Sequence, residues 1–376
     1  MSRDFVRQLN SPVGLNRTGW GHRWHIDFVL TGLLVLLCLL GLAVLYSASN
    51  RDTAMVIRQG VYILVGFVVM CCVARIELRR LQYLASVGYV GGVILLGVVL
   101  VFGEGAKGAQ RWIALPGFRF QPSELIKLVM PLTVAAWLCR KPLPPSFLDI
   151  ASSLGIIAIP VVLILKQPDL GTSLLIGASG LFVLLLSGLS RRIIGSALTL
   201  SLPAAWIMWL YVMKPYQKER VLTFLNPESD PWGSGWNIIQ AKIAIGSGGL
   251  YGKGWLHGTQ SHLDFLPESH TDFIVAVLAE EFGLVGFLLV MAVYLLVIGR
   301  AFFITLTAPN TFARLVAGSV TLSFFVYLFV NIGMVSGLLP VVGVPLPLFS
   351  RGGTSLVTLL AGFGLLMSAR ADRRVE

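Results

Sequence analysis

Acids are scarce in this chain, 18 against 29 lysines and arginines. Three of them stand in short motifs that each open an apolar run: Gln121-Pro122-Ser123-Glu124, Gln167-Pro168-Asp169 and Ser269-His270-Thr271-Asp272. A carboxylate at such a boundary can take a proton, hold a cation, or cap a helix. Proline suits a first helical turn, acids stabilise the positive end of the helix dipole, and Ser269 with Asp272 three residues on has the form of a capping box. For each acid both capping and chemistry stay open. Lys127 follows Glu124 by three residues, one turn into the same run. A lysine there costs a few kcal/mol in lipid unless it is paired or near water. The two side chains share a helix face, so a structural ion pair is one reading; intramembrane charge favours the other, a polar cluster below an external cavity. Arg351 opens the last apolar run, where a cation opposes the dipole. Between 214 and 271, Arg220, Lys242 and Lys253 lie beside Gly246, Gly248, Gly249, Gly252 and Gly254. Glycines let backbone N–H groups approach a phosphate, and they also simply make turns. The spacing of His257, His262 and His270 fits no helical ligand pair, so metal binding by histidine is not expected.

The elements that must position these residues are membrane spans. Of 376 residues, 56% are hydrophobic and 12% charged, with a mean hydropathy of +0.81; a soluble chain carries roughly twice that charged fraction. The apolar blocks are continuous rather than alternating, which selects helices over a barrel. Ten spans are expected, near 26–47, 56–74, 81–102, 122–139, 148–165, 170–189, 193–213, 272–299, 312–335 and 351–369, forming one all-α unit over 1–376. Basic residues cluster before the first span, at Arg75 to Arg80, at Arg140 and Lys141, at Arg191 and Arg192, at Arg300 and Arg314, and at the C-terminus. By the positive-inside rule both termini are cytoplasmic. Most acids fall on the opposite side. The segment 214–271 is then a large external loop, and Trp236, Ile239, Ile243 and Gly246 share one face of a short interfacial helix within it. The net charge of +11 is spread over loop ends, so nucleic acid is not expected as a partner. Cys38, Cys71, Cys72 and Cys139 all sit in or beside apolar blocks, which supports neither a disulfide framework nor a metal site. No cleavable signal peptide is expected.

Longer motifs add a resemblance. Arg220-Val221-Leu222-Thr223-Phe224-Leu225-Asn226-Pro227, Ala244-Ile245-Gly246-Ser247-Gly248-Gly249-Leu250, Phe265-Leu266-Pro267-Glu268-Ser269-His270-Thr271-Asp272-Phe273 and Ser350-Arg351-Gly352-Gly353-Thr354-Ser355, together with the acidic motifs above, resemble the SEDS family (shape, elongation, division and sporulation) over nearly the whole chain. Gly254-Trp255-Leu256-His257-Gly258-Thr259-Gln260-Ser261 and the short termini resemble its elongation branch. The resemblance implies a glycosyltransferase that polymerises lipid II at the outer face of the bacterial inner membrane, with inversion and release of undecaprenyl pyrophosphate. It places the essential aspartate at Asp272 and supporting groups at Glu124, Lys127 and Asp169. Arg111, Arg220, Lys242 and Arg351 are taken beside them as further candidate substrate-binding cations. It also implies a class B penicillin-binding protein and other elongation proteins as partners. No cofactor is certain, though Mg²⁺ or Mn²⁺ would suit a pyrophosphate leaving group. A lipid II flippase would instead line a path across the bilayer with charge, and a scaffold would not need Asp272, Glu124 and Lys127 together.

Overall fold

The computed structural model describes residues 26–106, 109–115, 118–213, 215–226, 235–262 and 268–371. The N-terminal tail, Pro227, Pro231 and the Phe265-Leu266-Pro267 part of the long motif lie outside them. The first half of the chain carries helices α1 (Phe28–Ala48), α2 (Thr53–Ala74), α3 (Leu78–Phe102), α4 (Pro122–Leu138), α5 (Phe147–Lys166), α6 (Leu170–Leu186) and α7 (Arg191–Ile207, continued as a π-helical turn through Met208–Val212). In the long loop follow α8 (Pro215–Leu225), α9 (Trp236–Gly248) and a single turn at Thr259–His262. The chain ends with α10 (Ile274–Leu306), α11 (Thr311–Val335) and α12 (Thr354–Ala371). Among the described residues, seven of these (α1, α2, α3, α5, α7, α10 and α11) are long and apolar enough to cross a membrane, and α6 and α12 are apolar but shorter.

Local sequence explains the starts. The carboxylate of Asp27 accepts from Leu30 N–H at 2.9 Å, and Ser146 with Asp149 closes a capping box at α5. Asp169 accepts from Thr172 N–H at 3.2 Å at the start of α6. The core runs along the bundle axis: α2 packs on α12, α3 on α4, α6 on α5 and α11, and α10 on α1 and α11. By contrast α7 buries none of its side chains. At one end of the bundle the buried carboxylate of Asp27 pairs with Arg300 at 2.8 Å and with Arg370, joining α1, α10 and α12. The charge pattern puts these three residues on one side of the membrane, and the contact agrees.

Four expectations change. First, the chain is nearly but not wholly helical. β1 (Glu104–Ala106), β2 (Ala109–Leu115) and β3 (Phe118–Phe120) form a small antiparallel meander, β1-β2-β3, in which Ile113 faces Phe120. Second, α10 does not stop at Arg300. That arginine is neutralised by Asp27, so the helix continues to Leu306. Third, α12 begins at Thr354, so Arg351 precedes the helix by three residues and opposes no dipole. Fourth, α9 does form, but it docks on α10 through Ile238, Ala241, Ala244 and Gly248, while Ile243 and Gly246 are exposed. Its small-residue face lets two backbones approach closely, and that outweighs the larger side chains of the expected face.

The reason for this close approach is a break in α10. Gly283 has φ 65° and ψ −164° inside the helix. The backbone groups freed there are met by the loop. Leu284 N–H donates to Gly249 O at 3.0 Å and Val285 N–H to Leu250 O at 3.1 Å, while Lys253 and Gly254 N–H donate to Glu280 O and Glu281 O at 3.0 and 2.9 Å. A Cβ on Gly248 would lie 2.0 Å from Ala279 O, and one on Gly252 2.1 Å from Glu281 O. These glycines thus face protein backbone and do not form a phosphate cradle.

Candidate active site

At the end of the bundle opposite Asp27, α4 and α6 begin side by side and α12 begins across from them. Their first turns, the middle of α11 and the irregular segment 343–353 enclose a cavity of about 310 Å³. Arg300 lies 17 residues beyond the break in α10 at Gly283, roughly 25 Å along the helix at the usual rise. Four of the expected residues line the cavity: Arg111, Glu124, Lys127 and Asp169. The Lys127 ammonium lies 2.7 Å from Glu124 Oε1, with side chains only 16% and 6% exposed, and 5.7 Å above the ring centre of Tyr327. Glu124 Oε2 and the Ser323 hydroxyl are buried without a hydrogen-bond partner among the described residues. Arg111 comes from β2, where Nη2 donates to Pro168 O at 2.6 Å and Nε lies 3.6 Å from Asp169 Oδ2. Gln121 Nε2 reaches the same oxygen at 3.5 Å. Asp169 is therefore both a helix cap and part of the cavity.

Two carboxylates and two cations thus share a pocket whose remaining wall is largely apolar, including Pro345, Leu346, Pro347 and Phe324. Such a site suits a ligand with polar and apolar faces and, since its charges are paired, holds groups that exchange hydrogen bonds with it.

The other four expected residues stand apart from this lining. Asp272 lies in a turn before α10, whose N-cap is Phe273 and carries no side-chain cap. α10 begins at Ile274, so Ser269 and Asp272 do not occupy its N-cap and N3 positions as expected; the Ser269 hydroxyl points to Ala48 O at 3.4 Å. Asp272 Oδ2 instead faces the cavity-lining Gly343, 3.6 Å from where a Cβ on that glycine would be. Arg351 has an exposed side chain, and its backbone N–H donates to His270 O at 2.9 Å. Lys242 lies against Gly337, and Arg220 is exposed on α8. Lys253 is taken up by Glu280 at 2.7 Å. Burial, with Arg351 nearby and Glu268 opposing it, holds the His270 imidazole below its usual range, so it is neutral near pH 7. Among the described residues no three His, Cys, Asp or Glu side chains gather as a metal cage.

Residues 26–375 match the profile of the cell cycle protein family that comprises FtsW, RodA and SpoVE. The chain belongs to this family. It is 51% identical to the peptidoglycan glycosyltransferase MrdB of Escherichia coli K12, over 96% of this chain and 97% of that one. It is 36% identical to a probable peptidoglycan glycosyltransferase FtsW of Geobacter metallireducens, over 91% and 94%. Among solved structures, a chain of a peptidoglycan synthase complex that coordinates polymerisation and crosslinking superposes with a TM-score of 0.81 at 32% identity, covering 93% of this chain and 99% of that one. RodA of Thermus thermophilus superposes with a TM-score of 0.70 at 30% identity, covering 93% and 98%. The protein is accordingly a multi-pass membrane protein with the RodA-like fold.

Several family-fold residues at the site carried no sequence signal. Tyr327, Ser323 and Gly343 look like ordinary span and loop residues until α11 and the 343–353 segment come together. The buried pair Glu280 and Glu281 did offer a signal, two acids inside an apolar run. Glu280 is wholly buried and accepts from Lys253 Nζ, Thr259 N–H at 2.8 Å and Gln260 N–H at 3.1 Å. Glu281 accepts from the Ser47 hydroxyl.

Proposed function

We propose that this chain is a peptidoglycan glycosyltransferase that polymerises lipid II into glycan strands during cell elongation. In this reading ten helices span the bacterial inner membrane with both termini cytoplasmic, and the site opens at the outer face. The observation that carries it is the meeting of a paired-charge cavity, set at the first turns of α4 and α6, with a separate carboxylate, Asp272, at its Gly343 wall. The names of the relatives support the same chemistry.

A sugar hydroxyl is a weak nucleophile, and a positioned carboxylate raises its reactivity by about 10²–10⁴-fold. Asp272 takes the proton of the acceptor N-acetylglucosamine 4-hydroxyl as the oxygen attacks the anomeric carbon of the donor N-acetylmuramic acid. The bond to undecaprenyl pyrophosphate breaks, and the configuration inverts. Arg111 and Lys127, already balanced by Asp169 and Glu124, can re-aim hydrogen bonds toward the pyrophosphate as its charge grows. Arg351, Arg220 and Lys242 are not among the residues that line the cavity. If a divalent cation takes part, Asp272 is the residue that would hold it, and it would supply charge stabilisation for the leaving group. A class B penicillin-binding protein, supported by the likeness to the synthase complex, would crosslink the strand as it emerges.

The test is purified protein with lipid II in detergent, where transport has no meaning. Parent protein is expected to make glycan polymer. Asp272→Asn keeps size and an acceptor oxygen but cannot take the proton, and is expected to fold and make no detectable polymer. Near-parental synthesis by the folded Asn variant would refute the assignment.

A further inference from the structure

The turn that carries Asp272 must be set against the cavity wall with sub-ångström accuracy if its carboxylate is to work there. One side chain bridges the two. Asn331, on α11, is wholly buried. Its Nδ2 donates one proton to Asp272 O at 2.9 Å and the other to Val344 O at 2.8 Å. Val344 lines the cavity and follows Gly343, the residue that faces Asp272 Oδ2. The amide thus joins the peptide of the acid to the peptide next to its point of contact. Its Oδ1 is buried and has no hydrogen-bond partner among the described residues. An unmet buried acceptor costs free energy, so the two donated bonds outweigh it at this position. What the position needs is two protons on one rigid, short arm.

We propose that Asn331 is a positioning residue for the transfer reaction, fixing the register between Asp272 and the Gly343–Val344 wall. This rests on the reading of Asp272 given above. Glutamine and lysine, which also offer two or more protons from one nitrogen, have a longer arm, and aspartate has the shape but not the donors. Arg351 N–H on His270 O holds the turn from the far side, so loss of the Asn331 amide lets the turn pivot about that bond rather than unfold.

The experiment compares full-length parent, Asn331→Asp, Asn331→Ser and Asp272→Asn, purified side by side and assayed for lipid II polymerisation with kcat and KM separated. Asn331→Asp keeps the shape and removes the donors; Asn331→Ser leaves a hydroxyl and space for a bridging water. A shift of about an ångström costs on the order of 10²-fold in rate. Asn331→Asp is therefore expected to lose roughly 10²-fold in kcat, with KM for lipid II within about twofold of parent, because the cavity lining is untouched. Asn331→Ser should fall between the two. If Asn331→Asp does not yield folded protein, Asn331→Ser decides alone: reduced kcat at parental KM supports the inference. Parental kcat in a folded Asn331 variant, or a rise in KM with kcat unchanged, overturns it. Should Asp272→Asn remain active, the reading of Asp272 has failed; should it be inactive while the Asn331 variants are parental, only the positioning role has failed.

Discussion

Replacing Lys127 by methionine tests whether the cavity floor is held by its ion pair. In the parent, Nζ sits 2.7 Å from Glu124 Oε1 and the other carboxylate oxygen is buried with no hydrogen-bond partner among the described residues. Lys127→Met leaves that carboxylate without its cation in a largely apolar wall. Removing one partner of a buried pair costs about 3–5 kcal/mol. Glu124 lines the cavity rather than the closed core, which favours the low end, about 3 kcal/mol, or about two decades in the folding equilibrium. The decisive arm is the double variant Lys127→Met with Glu124→Gln. A neutral amide removes the stranded charge, so stability should return to within about 1 kcal/mol of parent. Denaturation in mixed micelles and membrane abundance read stability, and lipid II polymerisation reads activity. The single variant should be scarce and inactive, and the double variant abundant and still inactive, because the paired charges of the floor are gone. A single variant as stable as parent, or a double variant no more stable than the single, would refute the reasoning.

Gly252→Val should abolish accumulation of folded protein, since its Cβ would meet Glu281 O at 2.1 Å with φ at +78°, whereas Gly246→Ala, with nothing within 4 Å, should leave abundance unchanged. For pH, the lowered His270 value means that the unfolded chain binds the proton more readily. Stability is full above the ordinary histidine value of about 6.5 and lost as pH falls through it toward the folded value. His270→Gln should then show a shallower loss of thermal stability than parent in scans from about pH 7.5 down to about pH 5. Reporter fusions after Arg140, Arg192 and Arg370 should be cytoplasmic and one near Gly258 external; the same side for Gly258 and Arg192 would sink the ten-span arrangement. Co-purified class B transpeptidase, even without its active serine, should raise the polymerisation rate, and a rate flat across partner ratios would argue that the two act independently.

What the sequence made legible follows from the range of each signal. Helix positions rest on apolar runs of about 20 residues and on caps such as Asp169, all local. The Glu124–Lys127 pair was legible because both residues sit on one turn. Contacts set by packing were not. The Arg300–Asp27 pair spans 273 residues, so an arginine that reads as the end of a span is an interior one. The face that α9 buries depends on how near α10 can come, and glycine and alanine decide that more than hydropathy does. The meander that delivers Arg111 is too short for an alternation signal to rise above the flanking spans. Arg220 and Lys242 read as site cations because basic residues near a glycine-rich loop suggest phosphate, and Arg351 because a cation opening a span opposes the helix dipole, yet a charge near a site in sequence need not line it in space.

The glycine-rich loop and the acid are coupled through the broken helix. An unbroken α10 would have its first turns fixed by the direction of the whole span, and Asp272 with them. The break at Gly283 lets the segment before it take its own direction. Such a break leaves backbone groups unpaired, and in lipid each one costs several kcal/mol. Here Gly249, Leu250, Lys253 and Gly254 meet them, and they can do so because Gly248 and Gly252 have no side chain to hold the strands apart. Lys253 and the Thr259 turn then lock the arrangement onto the buried carboxylate of Glu280. The loop therefore shapes the site without any of these residues lining the cavity. Conservative changes there, such as Lys253→Gln, should lower kcat while leaving KM for lipid II near parental. A change in KM alone would mean that the loop binds substrate directly and that the break serves some other end.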